Sequence, residues 1–254
     1  MKNKIGWCNL TWNPVWGCLN CCPYCYAREM AKRFAIPMSK REVSHTGRVV
    51  FYGTEDVSLT KIRKFEPIFL ESQFAQKFPK KSQRIFVGSM SEIYYWKDEW
   101  LEKVLEKVKL YPQHIFQFLT RYPEVYDRYI FPKNCWLGVT ITREQDFGRG
   151  IPYLFVTSCN ITFVSVEPIL EYIGPRPFSN ANIDWVILGA ETGNRKGKII
   201  PKKEWVESIV KYCRYKGIPV YLKDSLREIC PVEIKEFPKE ENKNVNHRSV
   251  EQKI

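Results

Sequence analysis

From Arg84 onward the chain repeats one pattern, a short continuous apolar run rich in β-branched and aromatic residues followed by a stretch of helical period. The runs are Ile85 to Val87, Ile115 to Leu119, Trp136 to Val139, Ile161 to Val166, Trp185 to Leu188 and Val220 to Leu222. Between them, Trp100, Leu101, Val104, Leu105 and Val108 recur as one helical face behind a capping Asp98. Trp205, Val206, Ile209, Val210 and Cys213 form another, which Gly217 closes. Continuous apolar strands alternating with amphipathic helices predict βαβ units and a parallel sheet. Ile5 to Val15 reads as a first strand broken by Asn13-Pro14, which brings the total to about seven strands, a partial rather than a closed eight-stranded barrel. The predicted fold class is α/β, a partial TIM barrel of the (β/α)6 type with parallel strands inside and helices outside. No G-x-G-x-x-G opens a helix, so a Rossmann fold is not favoured.

The remaining segments are less periodic. Tyr26 to Ala35 predicts a short amphipathic helix, with Met30 and Phe34 inward and Arg28, Lys32 and Arg33 outward. Residues 36–64 form a basic, irregular insertion punctuated by Pro37, Gly47 and Gly53, with a short strand at Val49 to Tyr52. Glu66 to Phe78 predicts another helix. A barrel domain over 1–235 is expected to hand over at 236–254 to a polar tail, flexible or loosely docked. No apolar run reaches membrane-spanning length. Met1 to Gly6 holds two lysines and no apolar core of a signal peptide, so a cytoplasmic location is expected and disulfides are not.

Charge adds a partner class. With 40 Lys+Arg against 28 Asp+Glu the formal net charge is +12, which favours polyanions such as nucleic acid or a nucleotide.

The chemistry concentrates in Thr11 to Ala27, TWNPVWGCLNCCPYCYA, where four of the nine cysteines fall within eight positions. Cys18, Cys22 and Cys25 stand in a C-x3-C-x2-C spacing. That spacing suits three thiolates gripping three corners of a [4Fe-4S] cube and leaving one iron without a protein ligand. A vacant iron can chelate the amino and carboxylate groups of S-adenosylmethionine, so that an electron from the cluster splits the sulfonium into a 5'-deoxyadenosyl radical. Cys18, Cys21 and Cys25 offer a second register; the first is preferred because it leaves the aromatic Tyr24 directly before the third ligand. Zinc is the alternative occupant, but it would want two pairs bracketing a loop. Cys135, Cys159, Cys213 and Cys230 stand singly in apolar contexts as small buried hydrophobes. Cys8 reads the same way, with a reactive thiol beside the cluster as the sharper alternative. His45, His114 and His247 are too scattered to suggest ligation, and His114 reads as structural.

In parallel barrels chemistry gathers where strands end. The strand ends here supply Ser89, Ser91 and Glu92; Thr120 and Arg121; Thr140 and Thr142; Ser165 and Glu167; Gly189 and Glu191; and Lys223 and Asp224. Such a rim of hydroxyls, carboxylates and small residues suits the ammonium, ribose and adenine of S-adenosylmethionine.

C-x3-C-x-Tyr-C after a strand-like run resembles the signature of the radical S-adenosylmethionine superfamily. That resemblance implies that Tyr24 lies against the adenine. It also implies that Ser89-Met90-Ser91-Glu92 stands where a Gly-Gly-Glu segment receives the methionine amine, although Met90 and Ser91 replace both glycines. Thr140 or Thr142 would contact the ribose, and Ser165 to Glu167 would supply the fifth-strand contact. The phrases GWCNLTWNPVWGC, IFVGSMSEIYY, FQFLTRYPE, WLGVTIT, FVSVEPIL and DWVILGAETG resemble a largely uncharacterised three-cysteine radical-SAM-like family of phage and prokaryotic genomes. The spore photoproduct lyase group is more distantly similar. Usual members space their first two cysteines further apart than CLNCCPYC does.

Two function classes follow. In one, the protein is an enzyme fed by a flavodoxin- or ferredoxin-type electron donor, abstracting a hydrogen atom from a substrate on the basic rim. Glu191, Glu167, Arg121 and Lys223 would position that substrate, and Cys8 or Cys21 would return a hydrogen atom. In the other, zinc or a structural cluster stabilises a non-catalytic nucleic-acid-binding protein. A rim of carboxylates and hydroxyls favours the first, since phosphate sites collect Lys and Arg.

Overall fold

The computed structural model describes residues 5–31, 64–148, 161–174, 178 and 183–239. Within them the apolar runs become strands: β1 (Leu10–Trp12), β2 (Val15–Trp16), β3 (Ile68–Phe69), β4 (Arg84–Val87), β5 (Ile115–Thr120), β6 (Cys135–Ile141), β7 (Ile161–Val166), β8 (Trp185–Leu188) and β9 (Val220–Leu222). Seven of these form one sheet in the order β1-β4-β5-β6-β7-β8-β9, and every neighbouring pair is parallel. The sheet curls into a half-barrel, the expected partial TIM barrel. Helix α1 is described over 26–31, and α2 (Glu71–Phe74), α3 (Asp98–Lys109) and α4 (Lys203–Tyr215) follow.

Strand alternation sorts side chains into two cores. On the helix side, Leu137, Val139, Ile141, Val164, Val186 and Leu188 pack with Val104, Leu105 and Val108 of α3 and Val206, Ile209 and Cys213 of α4. On the concave side the intervening residues are mostly aromatic: Phe86, Trp136, Phe163, Trp185 and Tyr221 pack with Trp7, Cys8 and Ile187. Trp185 is the hub. Its ring centroid lies 5.3 to 6.2 Å from those of Trp7, Trp136, Phe163, Tyr221 and Phe237. Burying each such ring contributes about 1.5–3 kcal/mol. Gly138 makes room for one of them, because a Cβ there would sit 2.3 Å from the Phe163 ring.

Several boundaries differ from the sequence reading for local reasons. The first strand is short: β1 holds only Leu10–Trp12, while Val15–Trp16 turns away to pair antiparallel with Ile68–Phe69. That pairing, with Pro67 just before it, replaces most of the helix expected over 66–78 and leaves only α2. Asp98 is the first residue of α3 rather than its cap. The cap is Lys97, which makes no side-chain cap bond, and Asp98 instead accepts from the Tyr129 hydroxyl. In α1 the inward residues are Ala27 and Ala31, packed on Phe65 and Met90, whereas Met30 is exposed. Near the end of the chain, Glu236 exchanges hydrogen bonds with Val220, Phe237 stacks on Trp185 and Tyr221, and Pro238 is buried. The docked chain therefore runs into the stretch expected to be tail. Residues 32–63, which hold most of the basic insertion and His45, lie outside the described residues, as do Cys159 and 240–254 with His247. Among the described residues no helix is long and apolar enough to cross a membrane.

Candidate active site

The cysteine loop leaves β2 at Gly17 and is stitched to the segment after β4. Gly17 has φ +99°, and a Cβ there would lie 2.0 Å from the Glu66 carbonyl oxygen, so only glycine fits. Its N–H donates to the Met90 carbonyl at 3.0 Å, and the Cys18 N–H to that of Phe65 at 2.8 Å. Asn13 Oδ1 accepts from the Ser89 hydroxyl at 3.0 Å and from the Met90 N–H at 3.2 Å.

Backbone donors reach two of the three spaced thiols. Cys18 Sγ accepts from the Asn20 N–H at 3.3 Å, and Cys25 Sγ from the Arg28 N–H, in the first turn of α1, at 3.4 Å. Burial pushes the Cys18 thiol up to about 12, and the neighbouring charges of Glu92, Cys25 and Cys22 add to this. Cys22 and Cys25 thus both lie within electrostatic reach of Cys18. Cys21 is exposed, its thiol directed at the Leu19 carbonyl. Among the described residues no group of three or more His, Cys, Asp and Glu side chains could hold a metal ion. The loop offers soft sulfur donors, N–H groups aimed at them and a buried, unpartnered Nε on Arg28. The chemistry of that donor set, thiols with N–H donors, suits an anionic iron–sulfur cluster, although the described side chains are not gathered about one metal centre.

Above β5 and β6, the Arg121 guanidinium donates to the Tyr24 hydroxyl at 2.8 Å and lies 5.7 Å from the centre of its ring. Burial works against the Arg121 charge, yet Tyr24, Cys22, Glu92 and Asp146 hold it firmly protonated. Thr142 also reaches Tyr24, but its N–H and hydroxyl are both given to Asp146 Oδ2, at 2.8 and 2.9 Å.

Much of the rim builds loops. Glu92 is fully buried and accepts from the Thr120 hydroxyl, from the Arg121 N–H at 3.0 Å and from the Tyr94 N–H at 3.4 Å. Burial raises its pKa and these donors oppose the rise. Ser91 Oγ accepts from Trp96 Nε1 at 3.1 Å. Glu191 closes a bidentate pair with Arg195, at 2.7 and 2.9 Å, and the Arg195 hydrogen bond holds its carboxyl below the usual range. Other groups are less committed. Thr140 faces Ser165 across the β6–β7 register, and Ser165 Oγ is buried without a partner. Glu167 pairs with Lys223 and lies across Gly189, where a Cβ would come within 3.0 Å of its carboxyl carbon. Cys8 is buried in the aromatic inner cluster, within electrostatic reach of Tyr26, which also senses Glu167 and Cys25.

Sequence reasoning did not find Arg28, Asn20, Tyr95, Tyr122, Asp146 or Arg195. Asn20 Oδ1 accepts from the hydroxyls of Tyr95 and Tyr122 at 2.8 and 2.7 Å, tying the loop tip to the strand ends. For Arg28 a signal existed: a cation in the first turn of a helix opposes the macrodipole and needs another reason to be there.

Fold and site together define the class: a parallel βα half-barrel carrying a cysteine-rich loop on its C-terminal rim. The chain belongs to the family described as protein of unknown function (DUF5131), whose model matches residues 2–252. No curated protein matches it in sequence. Among solved structures, a cysteine-to-serine mutant of spore photoproduct lyase is similar at 12% identity and TM-score 0.53, over 85% of this chain and 76% of that one. Spore photoproduct lyase complexed with dinucleoside spore photoproduct is similar at 12% identity and TM-score 0.52, over 82% and 74%. These likenesses establish the shared fold.

Proposed function

We propose that the protein is a radical S-adenosylmethionine enzyme whose Cys18, Cys22 and Cys25 hold a [4Fe-4S] cluster. The observation that carries this reading is the C-x3-C-x2-C spacing of those residues on a loop stitched to the C-terminal rim of a half-barrel. The fold shared with spore photoproduct lyase supports it. Those three cysteines would hold a cluster whose chemistry, when bound and reduced, would be one-electron cleavage of S-adenosylmethionine to methionine and a hydrogen-abstracting 5'-deoxyadenosyl radical.

The chain's own residues then bind, orient and exclude water. Tyr24, braced by Arg121, offers a ring face to the adenine. Thr140 and the unpartnered Ser165 hydroxyl offer hydrogen bonds to the ribose. Glu167 and Lys223 can exchange their mutual pairing for polar groups of a ligand, and the aromatic inner cluster below excludes water from the reacting groups. Glu92, Thr120, Ser89, Ser91, Thr142 and Glu191 hold the loops that carry these groups. The substrate class that suits the net charge of +12 and the exposed Lys196 near Glu191 is a nucleotide or nucleic acid. A small acidic flavodoxin- or ferredoxin-type donor would suit the same charge.

Anaerobic reconstitution followed by dithionite and S-adenosylmethionine tests the reading. 5'-Deoxyadenosine should appear, Cys22→Ala should abolish it and Cys21→Ala should retain it. Stoichiometric zinc without sulfide, or a loaded cluster that leaves S-adenosylmethionine intact, would overturn it.

A further inference from the structure

Arg28 stands three residues past Cys25 in the first turn of α1, where the helix dipole disfavours a cation. What outweighs the dipole is a set of acceptors at the first end of the cysteine loop and on the segment before β3. Nη2 donates to the carbonyls of Cys18 at 3.0 Å and Asn20 at 2.8 Å, Nη1 donates to that of Lys64 at 3.3 Å, and the guanidinium lies 5.2 Å from the centre of the Phe65 ring. The backbone N–H of the same residue holds Cys25 Sγ. One residue therefore ties the backbone of Cys18 and Asn20 to the helix turn whose N–H holds the third thiol, while Tyr95 and Tyr122 hold Asn20 from the other side. Among the described residues its buried Nε has no partner.

We propose that Arg28 is a positioning residue with two separable tasks: its planar fork holds the Cys18–Asn20 end of the cysteine loop against the helix that follows Cys25, and its charge stabilises the anion that the loop's thiols hold. The second task rests on the cluster reading above; the first does not. Lysine would keep the charge but lacks the flat, divergent donors needed to serve three carbonyls while lying on a ring. Glutamine would keep some hydrogen bonding and lose the charge.

The two tasks separate in a comparison of wild type, Arg28→Lys and Arg28→Gln as full-length chains, with Arg214→Lys on the exposed side of α4 as a control. In reduced apoprotein, the rate of alkylation at Cys18 relative to the core thiol Cys213 should rise about tenfold in both Arg28 variants, reporting a loosened loop, with melting temperatures close to wild type. In reconstituted protein both should retain less iron. The midpoint potential should stay near wild type in Arg28→Lys and move negative in Arg28→Gln, where a cation beside the anion has gone. Unchanged Cys18 labelling would overturn the clamp. Labelling of Cys213 rising in parallel would also overturn it, by showing general destabilisation. Equal potentials in the two variants would overturn the charge role. If wild type itself binds no cluster, the functional reading and the charge role fall, while the labelling still decides the clamp.

Discussion

The inner aromatic cluster and the C-terminal rim are built by the same strands, yet they handle burial in opposite ways. The cluster packs ring on ring around Trp185, with Gly138 yielding its side-chain volume to Phe163. The rim buries charge, which costs several kcal/mol unless each group finds a partner. Its acids divide accordingly. Glu191 is 1% exposed in a closed bidentate pair and Glu92 is wrapped by donors from its own loop and from β5, so both are already engaged. Glu167 and Lys223 are 24% and 21% exposed, which leaves them able to trade partners. The contrast teaches that a carboxylate at a strand end is not by itself a ligand group; its partners decide.

Breaking the cluster should have the largest effect. Trp185→Ala removes a side chain that touches five rings and is expected to cost about 3–5 kcal/mol in denaturant unfolding; a loss below about 1 kcal/mol would mean the rings do not act as one core. Gly17→Ala comes next, at about 1–3 kcal/mol, because its backbone is left-handed and a Cβ would meet Glu66. It should also lower iron retention, which the cluster variant reaches only through unfolding. Glu191→Gln should cost about 1–2 kcal/mol at neutral pH. The folded-state pKa of Glu191 is depressed, so its contribution is present above the ordinary glutamate value and disappears as pH falls through the folded one. The gap between wild type and variant should therefore close below about pH 4, as melting curves across pH would show. The smallest stability effect, about 1 kcal/mol or less, is expected for Glu167→Gln. There kcat/KM for 5'-deoxyadenosine formation should fall more than stability does, and equal losses would mean that Glu167 is only structural.

Most of the sheet was legible because a strand buried on both faces leaves an apolar run that little else explains. Trp185–Leu188, Ile161–Val166 and Val220–Leu222 match the sequence runs residue for residue. The stretch 66–78 misled because Leu70, Phe74 and Phe78 have helical spacing, while the pairing that claims Ile68–Phe69 comes from Val15–Trp16, far away in sequence. The rim could be enumerated from strand ends. Which groups were already engaged could not, since Asp146 binding Thr142 and Arg195 binding Glu191 depend on how an aperiodic loop folds back on itself, and Asn13 binding Ser89 is a tertiary contact. The inward turn of Arg28 was hidden for the same reason: small Ala27 and Ala31, not Met30, form the packed face of α1.

The central claim is that three amino-terminal thiols and no fourth hold an iron–sulfur cube. Iron and acid-labile sulfide analysis of anaerobically reconstituted protein, with Mössbauer spectroscopy of the bound iron, tests it most directly. The account predicts about four irons and about four sulfides per chain, with one iron whose spectrum changes when S-adenosylmethionine is added. One zinc per chain with no sulfide, or a cluster whose irons all ignore S-adenosylmethionine, would contradict it.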